Sequence, residues 1–201
     1  RYRDIAMMAD VDTAIDDIVN DSIANLDDEP PVKVNLDDTD LSKKIKDVVA
    51  DEFQYLLNIL DFNLRAQDYF RHWYIDGRLY FHKVIDTAKP KEGLKDIRYI
   101  DPRKIRKVRE VAKKRVRGGE TNEATLVKTQ NEYYIYNDKG FNYGNKTVGP
   151  TTTGLRIAKD SILHITSGLT DTNGTMVLSY LHKAIKALNQ MRTLEDALVI
   201  Y

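Results

Sequence analysis

"DPRKIRKVREVAKKRVR", Asp101 to Arg117, decides what kind of fold this chain has, because it satisfies two incompatible periods. At helical spacing Ile105, Val108, Val111, Ala112 and Val116 share one side, and Asp101-Pro102 stands where a helix would begin. At strand spacing the same β-branched residues alternate with Lys and Arg, as on a half-exposed edge whose charge blocks unwanted pairing. Nine of the fifteen residues from Arg103 to Arg117 are cations, namely Arg103, Lys104, Arg106, Lys107, Arg109, Lys113, Lys114, Arg115 and Arg117, and only Glu110 opposes them. On these residues alone, nucleic-acid contact and a solvated charged face both stand open. No base-reading motif accompanies the run.

The segments on either side supply a context of helices first and strands after. From Tyr2 to Asn25, Ile5, Met8, Val11, Ile15, Ile18 and Ile23 recur at helical spacing with Asp on the other face, an amphipathic helix. "DDEPPVKVNL" breaks it, and its two prolines favour a short strand around Val32 to Leu36. "DTDLSKKIKDVVADEFQYLLNILD" opens with Asp and Thr capping candidates and repeats Leu41, Ile45, Val48/Val49, Phe53, Leu56/Leu57 and Leu60, a second helix. "FNLRAQDYFRHWYIDG" is a third, stopped at Gly77. "RLYFHKVID" and "DIRYI" then read as strands separated by a Lys/Pro/Gly loop, with Asp101-Pro102 as a turn. "NEYYIYNDKGFNYG" reads as a hairpin, "GPTTTGLRIAKDSILHITSGL" as one or two strands, and "MVLSYLHKAIKALNQMRTLEDALVIY" as a long final helix. This order predicts an α+β fold, with amphipathic helices against a mostly antiparallel small sheet, and not an alternating parallel one.

Composition narrows the function classes. The 201 residues are enough to bury a substantial core, and 42% hydrophobic and 31% charged residues are close to the globular average. With no cysteine there is no disulfide, thiolate metal site or cysteine nucleophile. No apolar run reaches the roughly 18 residues of a membrane span. The net charge of zero conceals a bipolar chain. Residues 1–60 hold 6 basic and 15 acidic side chains, residues 61–120 hold 17 and 9, and residues 121–201 hold 8 and 7. Such segments suit an acidic partner, or a second copy that pairs acidic with basic faces head to tail. The chain opens at Arg1 without Met and stops in "LEDALVIY" with an apolar helical pattern still running, so a piece of a longer protein is expected.

Catalytic signals are weak. "GFNYGNKT", Gly140 to Thr147, approaches the phosphate-cradling G-x-x-x-x-G-K-[ST], but Asn145 stands where the second Gly must admit a phosphate, and "VGPTTTG" does not start a helix. His72, His82, His164 and His182 lack metal-ligand spacing, and His72 is expected to pack with Trp73 while His164 lies on a strand. "DTNG" at Asp171 to Gly174 lacks the later ligands of a calcium loop and reads as a turn. "DDE" (Asp27 to Glu29) and "DDTD" (Asp37 to Asp40) could hold a cation, and read more simply as a helix end and a helix cap. Neither a catalytic residue nor a metal or other cofactor is predicted. An enzyme with an unrecognised carboxylate site remains only a remote reading.

Taken together, "DGRLYFHKVID" (Asp76 to Asp86), "LKDIRYIDPRKIRKVREV" (Leu94 to Val111), "SILHITSGL" (Ser161 to Leu169) and "SYLHKAIKALNQMRTLEDALVIY" (Ser179 to Tyr201) resemble the portal, or head-to-tail connector, proteins of contractile-tailed bacteriophages, the T-even-like group in particular. The resemblance implies a portal wing region over residues 1–201, with a helical part at 1–76, a β-rich part at 77–170 and a helix at 175–201. The stem, clip and crown would follow beyond this sequence. It also implies a non-enzymatic subunit of a dodecameric ring at the capsid vertex of the virion, assembled in the host cytoplasm. Double-stranded DNA would pass through its channel in packaging and ejection, and terminase, capsid and neck proteins would dock on it. No channel-lining residue is carried over. In such portals the segment after the "DP" turn continues as a strand that pairs with the following Tyr-rich segment. The resemblance therefore favours a turn at Pro102 to Ile105 with a strand beyond, and a subunit or partner face for the nine cations. A nucleic-acid-binding module over 103–117 is the alternative.

Overall fold

The structure is a computed structural model that describes residues 2–23, 30–117, 123–141, 154–174 and 176–200; the side chains of 112–117, 123–130, 199 and 200 are not among them. Its helices are α1 (Tyr2–Ala6), α2 (Ala9–Ser22), α3 (Lys43–Ile59), α4 (Phe62–Asp76) and α5 (Ile185–Ile200). Its strands are β1 (Arg78–Ile85), β2 (Leu94–Ile100), β3 (Ile105–Arg117), β4 (Glu123–Tyr136), β5 (Leu155–Ala158) and β6 (Ile162–Thr166). The predicted α+β class is what the chain adopts. Where one small sheet was expected there are two, each antiparallel and three-stranded, in the orders β2-β1-β6 and β3-β4-β5.

β1 explains the layering. Successive strand residues point to opposite faces, yet Leu79, Tyr80 and Phe81 are all buried. Phe81 meets Tyr69 of α4 edge-on at 5.3 Å, whereas Tyr80 meets Tyr134 of the second sheet at 6.0 Å. The first sheet therefore lies between the helices and the second sheet, and its central strand is apolar on both faces for that reason. Tyr80, Ile105, Tyr134 and Ile162 form the core between the sheets. Ala6, Val11, Ile15, Val19, Ile75 and Leu181 form the core among the helices. Full burial of one such aliphatic side chain contributes on the order of 1.5–3 kcal/mol.

The first helix is shorter than its periodicity predicts. α1 and α2 are separate, with Met8 in extended conformation between them, and α2 ends at Ser22. "DDE" lies outside the described residues. The strand predicted around Val32 to Leu36 does not form: Val32 and Val34 are exposed, and among the described residues no strand pairs with them. α3 starts at Lys43 after Ser42, and "DDTD" is not its cap. It forms a turn instead, closed by Thr39 N–H on the Leu36 carbonyl and by Asp37 N–H on Asn35 Oδ1.

α4 ends as predicted at Gly77, in the left-handed conformation with φ 73°. Here only glycine fits, because a Cβ would stand 2.5 Å from the Leu178 carbonyl oxygen. The final helix begins later than expected. Thr170 and Val177 form a short bridge, Ser179 caps a 3-10 turn at Tyr180–Ala184, and α5 follows. The Asp171 to Gly174 turn is present, with Gly174 N–H on the Asp171 carbonyl at 2.9 Å. Among the described residues no helix is long and apolar enough to cross a membrane.

Candidate interface of the basic strand

The basic run is a strand. Pro102 to Lys104 form the turn, closed by Lys104 N–H on the Asp101 carbonyl at 2.8 Å, and β3 runs from Ile105 to Arg117 against β4. Strand outweighs helix because β4 supplies a thirteen-pair ladder, from Ile105 opposite Tyr136 to Arg117 opposite Glu123, that the β-branched residues suit. A bulge between Glu110 and Val111 leaves Gln130 of β4 as the extra residue. The Tyr-rich segment thus pairs with β3, as the resemblance implied. Its Asn137–Gly140 turn forms and docks back on the start of β3, Asn137 N–H on the Lys104 carbonyl and Phe141 N–H on that of Arg103. Residues 142–147 of "GFNYGNKT" lie outside the described residues.

The period of two has a decisive electrostatic effect. A helix would have gathered the cations on one face, but the strand distributes them to both. Lys107 and Arg109 share the face of Tyr134 and Glu132, their ladder partners. Glu132, on the edge facing the turn before β6, collects Lys159 at 2.6 Å, Arg109 at 2.8 Å and Lys107 at 3.4 Å. Hydrogen bonds from Lys159 and then Arg109 hold its pKa down at about 2. Arg106 and Glu110 lie on the opposite face. There the Arg106 guanidinium sits 4.2 Å from the Phe141 ring centroid, and Glu110 accepts from Asn131 Nδ2 and the Tyr133 hydroxyl. Arg156 covers the Tyr133 ring at 3.7 Å. Arg103 pairs with Asp101 at 2.7 Å and Lys104 with Asp138 at 2.9 Å. Lys113, Lys114, Arg115 and Arg117 belong to β3 by their backbone, and their side chains lie outside the described set. Each of the five cations described in full therefore has an intramolecular partner.

Asp101 also binds the other end of the chain. Arg3 of α1 donates to both Asp76 oxygens, at 2.9 and 2.6 Å, and to both Asp101 oxygens, at 3.1 and 3.2 Å. One guanidinium thus holds α1, the end of α4 and the β2–β3 turn together, the bidentate geometry Arg is suited to. Spacing offered no sign of this junction, whose members are 73 and 98 residues from Arg3. Charge alone would have suggested it only to a reader who already had the fold.

The histidines do not converge. His164 stacks on Tyr80 at 4.3 Å on strand β6, as expected of a strand residue. His72 packs on Tyr99 at 5.4 Å, and not on Trp73 as predicted, because consecutive helical residues diverge by about 100°. Trp73 lies against Phe70 and Tyr180. Among the described residues no three His, Asp or Glu side chains are grouped to hold a metal ion. The surface around the start of β3 is thus built of paired charges and aromatic rings.

The family described as Bacteriophage T4-like portal protein (Gp20) matches residues 1–201, every residue of this chain. The chain belongs to the T4-like portal protein family. The portal protein of Vibrio phage KVP40 is 36% identical over 204 residues, covering 100% of this chain and 38% of its own length. That of Salmonella phage ViI is 33% identical over 209 residues, covering 100% and 36%. The chain thus spans little more than a third of the length of the curated portal proteins it matches.

Proposed function

We propose that this chain is the wing region of a phage portal subunit, with a helical part within residues 1–76, a β-rich part within 77–170 and α5 (Ile185–Ile200) as its final helix. The complete protein forms a dodecameric ring at the capsid vertex of the virion, after assembly in the host cytoplasm. The ring serves as the channel for double-stranded DNA in packaging and ejection, and as the dock for terminase, capsid and neck proteins. The observation that carries this reading is the family match over every residue of the chain. Head-to-tail contacts that close by rotation produce such a ring. Single-particle imaging of the longer gene product tests it: a closed ring with a central channel is expected, and a uniformly monomeric particle would overturn it.

The nine cations of the basic run belong, on this reading, to a subunit or partner face. Arg103 and Arg109 keep 69% and 58% of their side-chain surface in solvent despite their pairing, which leaves them available to a second partner. Reversing the charge of Arg106, Lys107 and Arg109 together should impair ring assembly. Unchanged assembly would remove the assignment. The alternative, a nucleic-acid module, has less support, because cations divided between two faces and already paired release few counterions on meeting a duplex.

A further inference from the structure

Arg78 and His164 lie on the face of the first sheet that looks toward the second, and the chain satisfies neither. Arg78 stands opposite Thr166 in the β1–β6 ladder, and Tyr80, two residues on, stands opposite His164. Paired residues of antiparallel strands share a face, and alternate residues return to it, so Arg78, Tyr80, His164 and Thr166 form one patch. The Tyr80 ring lies 4.3 Å from that of His164 and 6.0 Å from that of Tyr134. Tyr134 in turn meets His164 edge-on at 6.1 Å. The patch is thus walled by two aromatic rings, one from each sheet.

Two nitrogens in it are buried without a hydrogen bond, Nε of Arg78 and Nε2 of His164. Among the described residues Arg78 has no ion pair either. Buried polar atoms are normally bonded, so two unsatisfied ones on neighbouring rungs of one ladder call for a ligand from outside the chain. Both residues are only partly buried and Thr166 is exposed, which leaves the patch open at its rim.

Charge decides which ligand fits. Lys107, the ladder partner of Tyr134, and Arg78 are the two cations whose fields reach His164. Lys107 has Glu132 as its counter-ion at 3.4 Å, but that carboxylate also serves Arg109 and Lys159 at shorter distance. Among the described residues, Arg78, Lys107, Arg109 and Lys159 therefore share a single carboxylate. Water would satisfy the two nitrogens and leave this excess of positive charge in place. An oxyanion answers both, since its oxygens accept charge-assisted hydrogen bonds and its charge offsets the cations.

We infer that Arg78, His164 and Thr166 form a binding site for a small oxyanion, a phosphate or carboxylate group, at the seam between the two sheets. The Arg78 guanidinium donates to it through Nε, the neutral imidazole donates from Nε2, and the Thr166 hydroxyl closes the rim. Lys107 adds positive field from the second sheet. The site lies within one subunit, so it stands whether or not rings form.

The test uses the longer gene product, titrated calorimetrically with inorganic phosphate and, separately, with acetate, at neutral pH and constant ionic strength. Saturable uptake of at least one anion is expected, and which of them saturates tells a phosphate ligand from a carboxylate one. Arg78→Gln should weaken about one equivalent per subunit by roughly tenfold or more, the worth of a charge-assisted hydrogen bond. Arg65→Gln, which removes an exposed cation of α4 paired with Asp61, should leave uptake unchanged. No saturable uptake of either anion, or uptake that Arg78→Gln leaves intact, would overturn the site. A second measure needs no change at Arg78. The NMR titration midpoint of His164, near about 4 without the anion, should rise in its presence, because a negative neighbour favours the imidazolium. A midpoint that saturating anion leaves unmoved would equally overturn it.

Discussion

The hydroxyl of Ser179 donates to the backbone carbonyl of Tyr74 at 3.1 Å, across 105 residues of sequence, and accepts from Leu181 N–H at 3.0 Å. Ser179 has no exposed surface. It satisfies one of the carbonyls that the end of α4 leaves free and caps the turn leading into α5 with the same atom. Ser179→Ala leaves both backbone groups buried without that partner, so it should destabilise the protein by about 1–3 kcal/mol in chemical denaturation.

Gly77→Ala should be worse than a left-handed glycine usually implies. The conformation alone costs about 1–2 kcal/mol, and the added Cβ meets the backbone of Leu178 and Ser179 besides. Gly174 has φ 66° with nothing within 4 Å of an added Cβ, so Gly174→Ala isolates the conformational part. The expected order of melting temperature is wild type, then Gly174→Ala, then Gly77→Ala.

Asp101 confers stability that acid removes. Burial by itself would raise its pKa, but hydrogen bonds from Arg103 and the Arg3 charge outweigh it and hold the carboxyl well below the usual carboxylate range. A carboxyl depressed in the folded state stabilises above its unfolded pKa, near about 3.9, and loses that contribution as pH falls toward the folded value. Asp101→Asn should therefore melt below wild type at neutral pH, and the gap should close in strong acid.

His164 acts in a different window. Burial first, then Lys107 and Arg78, lower its pKa to about 4, and its Nε2 has no hydrogen-bond partner. The unfolded chain takes up the proton near pH about 6.5, so between there and 4 the unfolded state binds more protons and stability is lost as the pH is lowered. Replacement by Phe should flatten the stability profile in that interval. Titration of the His164 imidazole by NMR should give a midpoint near 4.

Glu132→Gln should release Lys107, Arg109 and Lys159 from the carboxylate they share. Later elution from heparin than wild type is expected, with the difference shrinking at higher salt because the interaction is one of exposed charge. Equal elution would show that these cations are not restrained by Glu132.

Local chemistry made several elements legible in the sequence: the helix stop at Gly77, the Asp101-Pro102 turn, the β1 and β2 runs, the Tyr-rich second half of β4 and the amphipathic α3. Each depends on residues close together in the chain, and periodicity reports those directly. The Val32 to Leu36 strand failed for the converse reason. Its two prolines exclude a helix, but a strand exists only where another strand accepts its hydrogen bonds.

The portal family, the α+β class and the density of charge between Arg103 and Arg117 were determined by the sequence by itself, since they reside in residue order and composition. Tertiary structure alone decided how that charge is divided. Two periods fit the run equally well until β4 lay beside it, and the ladder then sent alternate cations to opposite faces, toward Glu132 on one and Phe141 on the other. It also decided which apolar stripes remain uncovered. A helix's pattern shows that Ile45 and Leu57 are both apolar, but only the neighbours the fold provides determine that Leu57 is buried and Ile45 stays half exposed.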